Sequence, residues 1–163
     1  MNILLIDDDP GSLDCLQSAL ELYGYNCKAF TLPVEAVEEY QKNAYDVVIT
    51  DMRMPLMNGI QVLKKIRSIN GEAKVIIITA YGDVETAVSA VNNHACAFFG
   101  KPLNFVELIE TLKKIEHERE DCKLTREEYD KLTSEHAKLK KAFEDLQKLI
   151  KARSEKKKTT RKS

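Results

Sequence analysis

Short apolar runs without alternation recur through the first hundred residues, and each closes on a polar cluster. Ile3-Leu4-Leu5-Ile6 runs into Asp7-Asp8-Asp9-Pro10-Gly11. Val47-Val48-Ile49 ends on Thr50-Asp51, with Met52-Arg53-Met54-Pro55 beyond it. Val75 to Ile78 closes on Thr79-Ala80-Tyr81-Gly82, and Ala95 to Phe99 on Gly100-Lys101-Pro102. Such runs, rich in β-branched residues, predict strands buried on both faces, as in a parallel sheet. A further strand is predicted over Tyr25 to Phe30.

Helical spacing fills the gaps. Ser12 is predicted to cap a first helix with Leu13, Leu16, Ala19, Leu20 and Tyr23 inward and Gly24 as its stop. Thr31-Leu32-Pro33 opens a second helix with Val34, Val37 and Tyr40 inward. Asn58-Gly59 is a turn signal, and Gly59 to Ile69 reads as a third helix on Ile60, Val62, Leu63 and Ile66. Val84 to Val91 gives a fourth, built largely of small residues, and Asn104 caps a fifth that begins at Phe105. Strand and helix alternate five times, which predicts parallel pairing with right-handed crossovers in a doubly wound α/β domain. Alternation leaves the strand order open; the flavodoxin-like order 2-1-3-4-5 is one solution.

The fifth helix does not stop at the edge of this domain. Leu108, Leu112, Ile115, Arg119 and Cys122 follow four- and three-residue steps. After a phase break near residue 126, Tyr129, Leu132, His136, Leu139, Phe143, Leu146 and Ile150 do so again. No Pro or Gly interrupts residues 103–163. The pattern predicts a coiled-coil seam about three heptads long, marginal for a lone helix, so the partner expected is a second copy. A solvated charged helix is the plainer alternative. The organisation expected is a domain over 1–116, a coiled-coil extension over 117–152 and a Lys-rich, disordered tail over 153–163.

Charge divides along the same line. The chain of 163 residues has net charge −1, but residues 117–163 hold 15 Lys/Arg against 10 Asp/Glu, net +5. The totals of 25 and 26 leave 10 and 16 for residues 1–116, net −6. The last nine residues lack an aromatic, so a nucleic-acid site is not expected within the chain. No run of 18 apolar residues and no secretory leader is present, and Cys15, Cys27, Cys96 and Cys122 lack metal-ligand spacing. A cytoplasmic protein with reduced thiols is expected, with Cys15, Cys27 and Cys96 acting as small core hydrophobes. His94, His117 and His136 read as surface or seam residues, and Met52, Met54 and Met57 as loop packing.

The chemistry is expected where the strands end. In a parallel sheet these carboxyl ends lie side by side, and open α/β sheets collect ligands there. They offer Asp7, Asp8, Asp51, Thr79 and Lys101. Two unit charges about 4 Å apart at an effective dielectric near 20 repel by roughly 4 kcal/mol, so the carboxylates need a cation. Mg²⁺, which takes one or two carboxylates with water and phosphate oxygens, suits them; Mn²⁺ is a substitute. A carboxylate nucleophile with Mg²⁺, a lysine and a hydroxyl is a site for phosphoryl transfer onto Asp51. Asp9 reads as a turn or cap residue.

The segments ILLIDDD, VVITDMRMPLMNG, VIIITAYGD and AFFGKP resemble the signatures of the response-regulator receiver domain of two-component signalling. DMRMPLMNG and TAYGDVETAV are most similar to receivers of sigma-54-activator-type regulators. The resemblance implies that Asp51 is the phosphoacceptor, served by a sensor histidine kinase or phosphotransfer protein. It implies that Asp7, Asp8, Asp51 and the backbone carbonyl of Arg53 bind Mg²⁺, with Asp8 the more direct of the acidic pair. Thr79 becomes the switch hydroxyl, Phe98 the switch aromatic and Lys101 the phosphate-contacting lysine. The sequence departs from the family at Asn93-His94-Ala95-Cys96-Ala97 and at Gly100, which bears on the partner face around the fourth helix and fifth strand. The expected protein is a switch and no enzyme beyond its own phosphorylation and dephosphorylation, with a surface of the fourth helix, fifth strand and fifth helix coupled to dimerisation. The competing readings are a phosphate-independent receiver-like scaffold and a haloacid-dehalogenase-type phosphatase. The latter would want a second Asp where Arg53 stands. No effector domain follows, so the chain is expected to be either an adaptor or part of a longer regulator.

Overall fold

The computed structural model describes residues 1–80 and 92–159; within the final helix the side chains of residues 124, 139 and 142–159 are outside that description. The fourth helix expected over Val84 to Val91 and the end of the tail also lie outside the described residues. The chain divides into two compact units, Met1–Lys113 and Lys114–Ser163.

The first unit is built on five parallel strands: β1 (Asn2–Ile6), β2 (Asn26–Phe30), β3 (Val47–Asp51), β4 (Lys74–Thr79) and β5 (Ala97–Gly100). Their order is β2-β1-β3-β4-β5, the flavodoxin-like solution. The three central strands are those whose unbroken apolar runs are made of Ile, Leu and Val. Every residue of β3 is buried, as are all but the first of β1 and β4. The edge strands β2 and β5 are only partly covered. No helix among the described residues is long and apolar enough to cross a membrane.

Helix α1 (Pro10–Leu22) is capped by Asp9, not by Ser12. Asp9 accepts from the amides of Gly11 and Ser12, both at 3.2 Å, and from the Ser12 hydroxyl at 2.7 Å. Pro10 explains the shift. A proline fits the first helical position, where its missing N–H would have no partner, so the cap falls one residue earlier. These bonds, the Ser12 hydroxyl first, hold the Asp9 carboxyl below its ordinary range. Gly24 follows the helix at φ +83°, as its role of stop requires. Tyr23 is mostly exposed and stacks obliquely on Phe105, with ring centroids 5.8 Å apart.

Helix α2 (Pro33–Lys42) buries Pro33, Ala36, Val37 and Tyr40. Val34, expected inward, is exposed, because the buried stripe takes the small Ala36 in its place. Helix α3 (Gly59–Ile69) buries Val62, Leu63 and Ile66. Its start is more than a turn: Asn58 and Gln61 form a reciprocal capping box, each accepting from the other's amide at 2.9 Å. Met52, Met54 and Met57 are buried, as loop packing requires.

The cysteines do not follow the core expectation. Cys15 and Cys96 are exposed, as is Cys122, and Cys27 is half-buried on edge strand β2. Hydrophobicity marks a small thiol as burial-tolerant, but α1 turns Cys15 outward and Cys96 lies exposed just before β5. Burial pushes the Cys27 thiol up to about 11, and the Glu21 carboxylate adds to the effect.

The last helix, α4 (Phe105–Thr159), begins in the first unit and runs to the end of the described residues. The Asn104 side chain accepts from the Val106 amide at 3.2 Å, as expected of its cap. Leu108, Leu112 and Ile115, expected in a dimer seam, are buried within the single chain. The stripe starts as core, so a second chain has no access to these three side chains. In the second unit Tyr129 and Leu132 are about two-thirds exposed and Cys122 is exposed. The side chains of Leu139, Phe143, Leu146 and Ile150 lie outside the described residues.

Two outcomes test this architecture. A Cβ on Gly59 would stand 2.6 Å from the Asp51 backbone oxygen and 3.1 Å from the Met52 Cα, both backbone atoms with little room to yield. Gly59→Ala is expected to lower stability to urea by about 1–3 kcal/mol, and an unchanged midpoint would contradict the packing. Alkylation of the folded chain at pH 8, followed by peptide mass, should modify Cys27 at least tenfold more slowly than Cys15, Cys96 or Cys122. Equal rates would refute the environment assigned to Cys27.

Candidate functional site

Strand order brings the predicted chemistry together. Asp7 directly follows β1, Asp51 ends β3, Thr79 ends β4, and Lys101 directly follows β5. These four strands are consecutive neighbours in the sheet. Each apolar run ends where its chain leaves the core, so the polar residue after it emerges on the same rim.

Lys101 ties the rim together. Its Nζ donates to Asp7 Oδ2 at 2.9 Å and to Asp51 Oδ1 at 2.8 Å. Burial works against the ammonium, but the hydrogen bonds to Asp51 and Asp7 outweigh it and hold its pKa above the ordinary lysine value. Its own amide donates to the Thr79 carbonyl at 2.6 Å, which fastens the end of β5 to the end of β4. The remaining carboxylate oxygens are held by backbone. The Arg53 amide donates to Asp51 Oδ2 at 2.6 Å, and the Asp9 amide to Asp7 Oδ1 at 3.0 Å.

Burial differs around the site. Asp51 and Thr79 belong to the few buried polar residues of the described chain. Lys101 keeps about a third of its side chain open, so a ligand has an approach. Asp8 is exposed, beside Asp7 but outside the contacts that join Asp7, Lys101 and Asp51. Phe98 is half-buried on β5 and packs against the core.

A cation fits here as an open site. Two carboxylate oxygens from different strands converge on one ammonium, so both already face a single positive charge. Among the described residues no three His, Cys, Asp or Glu side chains form a closed metal group. Mg²⁺ does not need such a cage, since it keeps several waters and takes its remaining ligands from a phosphate. Asp7 and Asp51, with Asp8 at the rim, match that demand.

Asp9, expected as a turn or cap residue, and Gly59, expected only within a turn signal, also shape the site. Asp9 closes one side of a cavity of about 740 Å³ lined also by Asp7, Ser12, Cys15, Lys101 and Phe105. The Asp9-Pro10 pair carried that signal. Gly59 lets α3 start against the Asp51 backbone, and its amide donates to the Met52 carbonyl at 3.0 Å. The Asn-Gly pair marked the place but not the close approach.

Known proteins are similar to this chain in sequence and in fold. The chain is 40% identical over 114 residues to the transcriptional regulatory protein ZraR of Escherichia coli (strain K12), covering 70% of this chain and 26% of ZraR. It is 31% identical over 118 residues to the C4-dicarboxylate transport transcriptional regulatory protein DctD of Rhizobium meliloti (strain 1021), covering 72% of this chain and 26% of DctD. The chain thus spans about a quarter of the length of these relatives, which are of the sigma-54-activator type that the motifs resemble. Among solved structures, the response regulator protein TrrA from Thermotoga maritima, in complex with Mg(2+)-BeF, is 33% identical. It superposes with a TM-score of 0.64 over 70% of this chain and 97% of its own. Residues 3–113 match the response regulator receiver domain as a family, and by that match the chain belongs to it.

Proposed function

We propose that the chain is a phosphorylation-operated switch in which Asp51 accepts a phosphoryl group from a histidine kinase or phosphotransfer protein. Phosphorylation and Mg²⁺ are general to the family. The observation that carries the reading is the Lys101 ammonium shared between Asp7 and Asp51. Two carboxylates that would repel are kept together by a cation that a phosphoryl oxygen can also engage.

An Asp51 carboxylate oxygen attacks phosphorus, the bond from phosphorus to the donor breaks, and the donor leaves with that electron pair. Lys101 turns from Asp51 to a phosphoryl oxygen and retains Asp7. The Thr79 hydroxyl donates to another phosphoryl oxygen. Asp7, Asp8, Asp51 and the Arg53 carbonyl would hold Mg²⁺, with Mn²⁺ as its substitute, and the ion supplies charge neutralisation to the phosphoryl group. No further catalytic activity is proposed.

The added phosphate brings the site to roughly −1.5 to −2 in place of −1. The Thr79 carbonyl holds the Lys101 amide, so a shift of Thr79 reaches the end of β5 directly. Phe98, three residues before Lys101, turns inward as Thr79 moves. The surface of the fourth helix, β5 and α4 changes with it and is coupled to pairing of the second unit with a second copy. The exposed Cys122, Tyr129 and Leu132, with Leu139, Phe143, Leu146 and Ile150 in the sequence stripe, make that seam. Reversal of a 1:99 population requires the phosphate to favour the active state by about 5.5 kcal/mol. The setting proposed is cytoplasmic.

With a small acyl phosphodonor and Mg²⁺, the native chain should take up an acid-stable, hydroxylamine-sensitive label. Asp51→Asn should abolish the label while keeping the native circular dichroism, and excess chelator should do the same to the native chain. Retained label on Asp51→Asn would remove Asp51 from the role, and full labelling in chelator would remove the metal. Lys101→Ala should slow labelling at least tenfold; native rates would leave the ammonium a structural bridge only.

A further inference from the structure

Two non-glycine residues among those described have a left-handed backbone, His94 at φ +59° and Leu56 at φ +69°. Histidine is among the side chains that tolerate this region, and the His94 carbonyl accepts from the Arg67 guanidinium at 2.8 Å. Leu56 has neither justification. Its Cβ crowds the following carbonyl, and leucine has no polar group to offset that with a local hydrogen bond. The side chain returns nothing to the fold, since Leu56 is 81% exposed.

The loop imposes this conformation. The Met57 amide donates to the Pro55 carbonyl at 2.8 Å, which closes a γ-turn around Leu56, and positive φ at the centre is the strained form of that turn. Met54 and Met57 are buried on either side, and the Gly59 amide donates to the Met52 carbonyl at 3.0 Å. Leu56 is therefore held outward on a loop anchored at both ends, five residues after Asp51. Pro55 and Leu56 make the exposed apolar tip of that loop, whereas Asp8, Asp9 and Arg53, also exposed after β1 and β3, are charged.

We infer that Leu56 is a contact through which a protein phosphodonor is bound. The inference rests on the phosphoacceptor role proposed for Asp51 and names a residue that recognises the donor. A protein that brings phosphorus in line with an Asp51 oxygen covers the rim, and Leu56 is left uncovered by its own chain. An apolar side chain fixed on an anchored turn loses little freedom when it is covered. The strain is borne by the free chain, and binding gains from the pre-organisation. The partner that fits is a protein whose phosphorylated histidine is flanked by apolar side chains. A small acyl phosphate has no surface to set against Leu56, so the residue should matter to one class of donor only.

Leu56→Gly in the full chain removes the side chain and the strain together. The donor is the autophosphorylated core of a sensor kinase, chosen from a set as the one that labels the native chain fastest. With it, Leu56→Gly should raise the half-saturating donor concentration about fivefold or more and keep the saturated rate within about twofold. Labelling by a small acyl phosphodonor should stay within about twofold of native, and the urea midpoint should not fall. Leu56→Met, apolar and of similar size, should bind the kinase core within about twofold of native. An unchanged half-saturation on Leu56→Gly would overturn the inference. So would an equal loss with the small donor, which would make Leu56 a support of Asp51 itself. A lower urea midpoint would overturn the strained turn. A native chain labelled by the small donor but by no kinase in the set would overturn the protein donor and leave Asp51 the acceptor. Labelling by neither would overturn the proposed function.

Discussion

Two carboxylates on neighbouring strand ends repel each other, and the Lys101 ammonium makes their proximity tolerable. At a few ångströms and an effective dielectric near 20, the repulsion amounts to roughly 4 kcal/mol, a large share of a small domain's stability. The bridge requires the ends of β1 and β3 to be adjacent and the end of β5 to reach back across β4. The order β2-β1-β3-β4-β5 meets that requirement. The bond from the Lys101 amide to the Thr79 carbonyl sets where the lysine stem starts. The buried sheet thus provides the geometry, and the shared ammonium allows that geometry to carry charge.

The same contacts leave Asp51 little freedom. One oxygen faces Lys101, the other accepts from the Arg53 amide, and the backbone oxygen lies where a Cβ on Gly59 would go. Both carboxylate oxygens are held, and on the proposed reading such an oriented carboxylate is where phosphoryl transfer gains most from a protein. Asp8 is the contrast. It is exposed and outside the bridge, so it is the acid of the group most free to meet an incoming ion.

The sheet and the rim were legible in the sequence because both follow from local composition. Unbroken β-branched runs mark buried parallel strands, and the residue that ends such a run is the residue on the rim. Asp7, Asp51, Thr79 and Lys101 could therefore be named before any coordinates. The order of strands was less accessible, because alternation constrains handedness and direction but not which neighbour a strand chooses. Where the sequence misled, residue type was ambiguous between two environments. Val34 and Cys15 are apolar enough for a core, yet helix phase turned them outward. Ser12 is a good cap, but Pro10 claimed the first helical position and passed the cap to Asp9. Leu108, Leu112 and Ile115 fit a heptad and a domain core equally well, since both ask only for apolar residues at helical spacing. Burial within one chain separates the two uses, and periodicity cannot.

That ambiguity bears on what the long helix can do. Removing the first three residues from the seam leaves a stripe of about three heptads, and a coil of that length contributes little pairing energy of its own. Such a pair is governed by mass action, so its population responds to small changes in free energy near its dissociation constant. A phosphoryl switch works with the same few kilocalories. A long, tightly packed coil would stay paired whatever Asp51 carried, and a bare charged helix would never pair. On the proposed reading a short apolar stripe lies between these limits, where one added phosphate is large enough to matter.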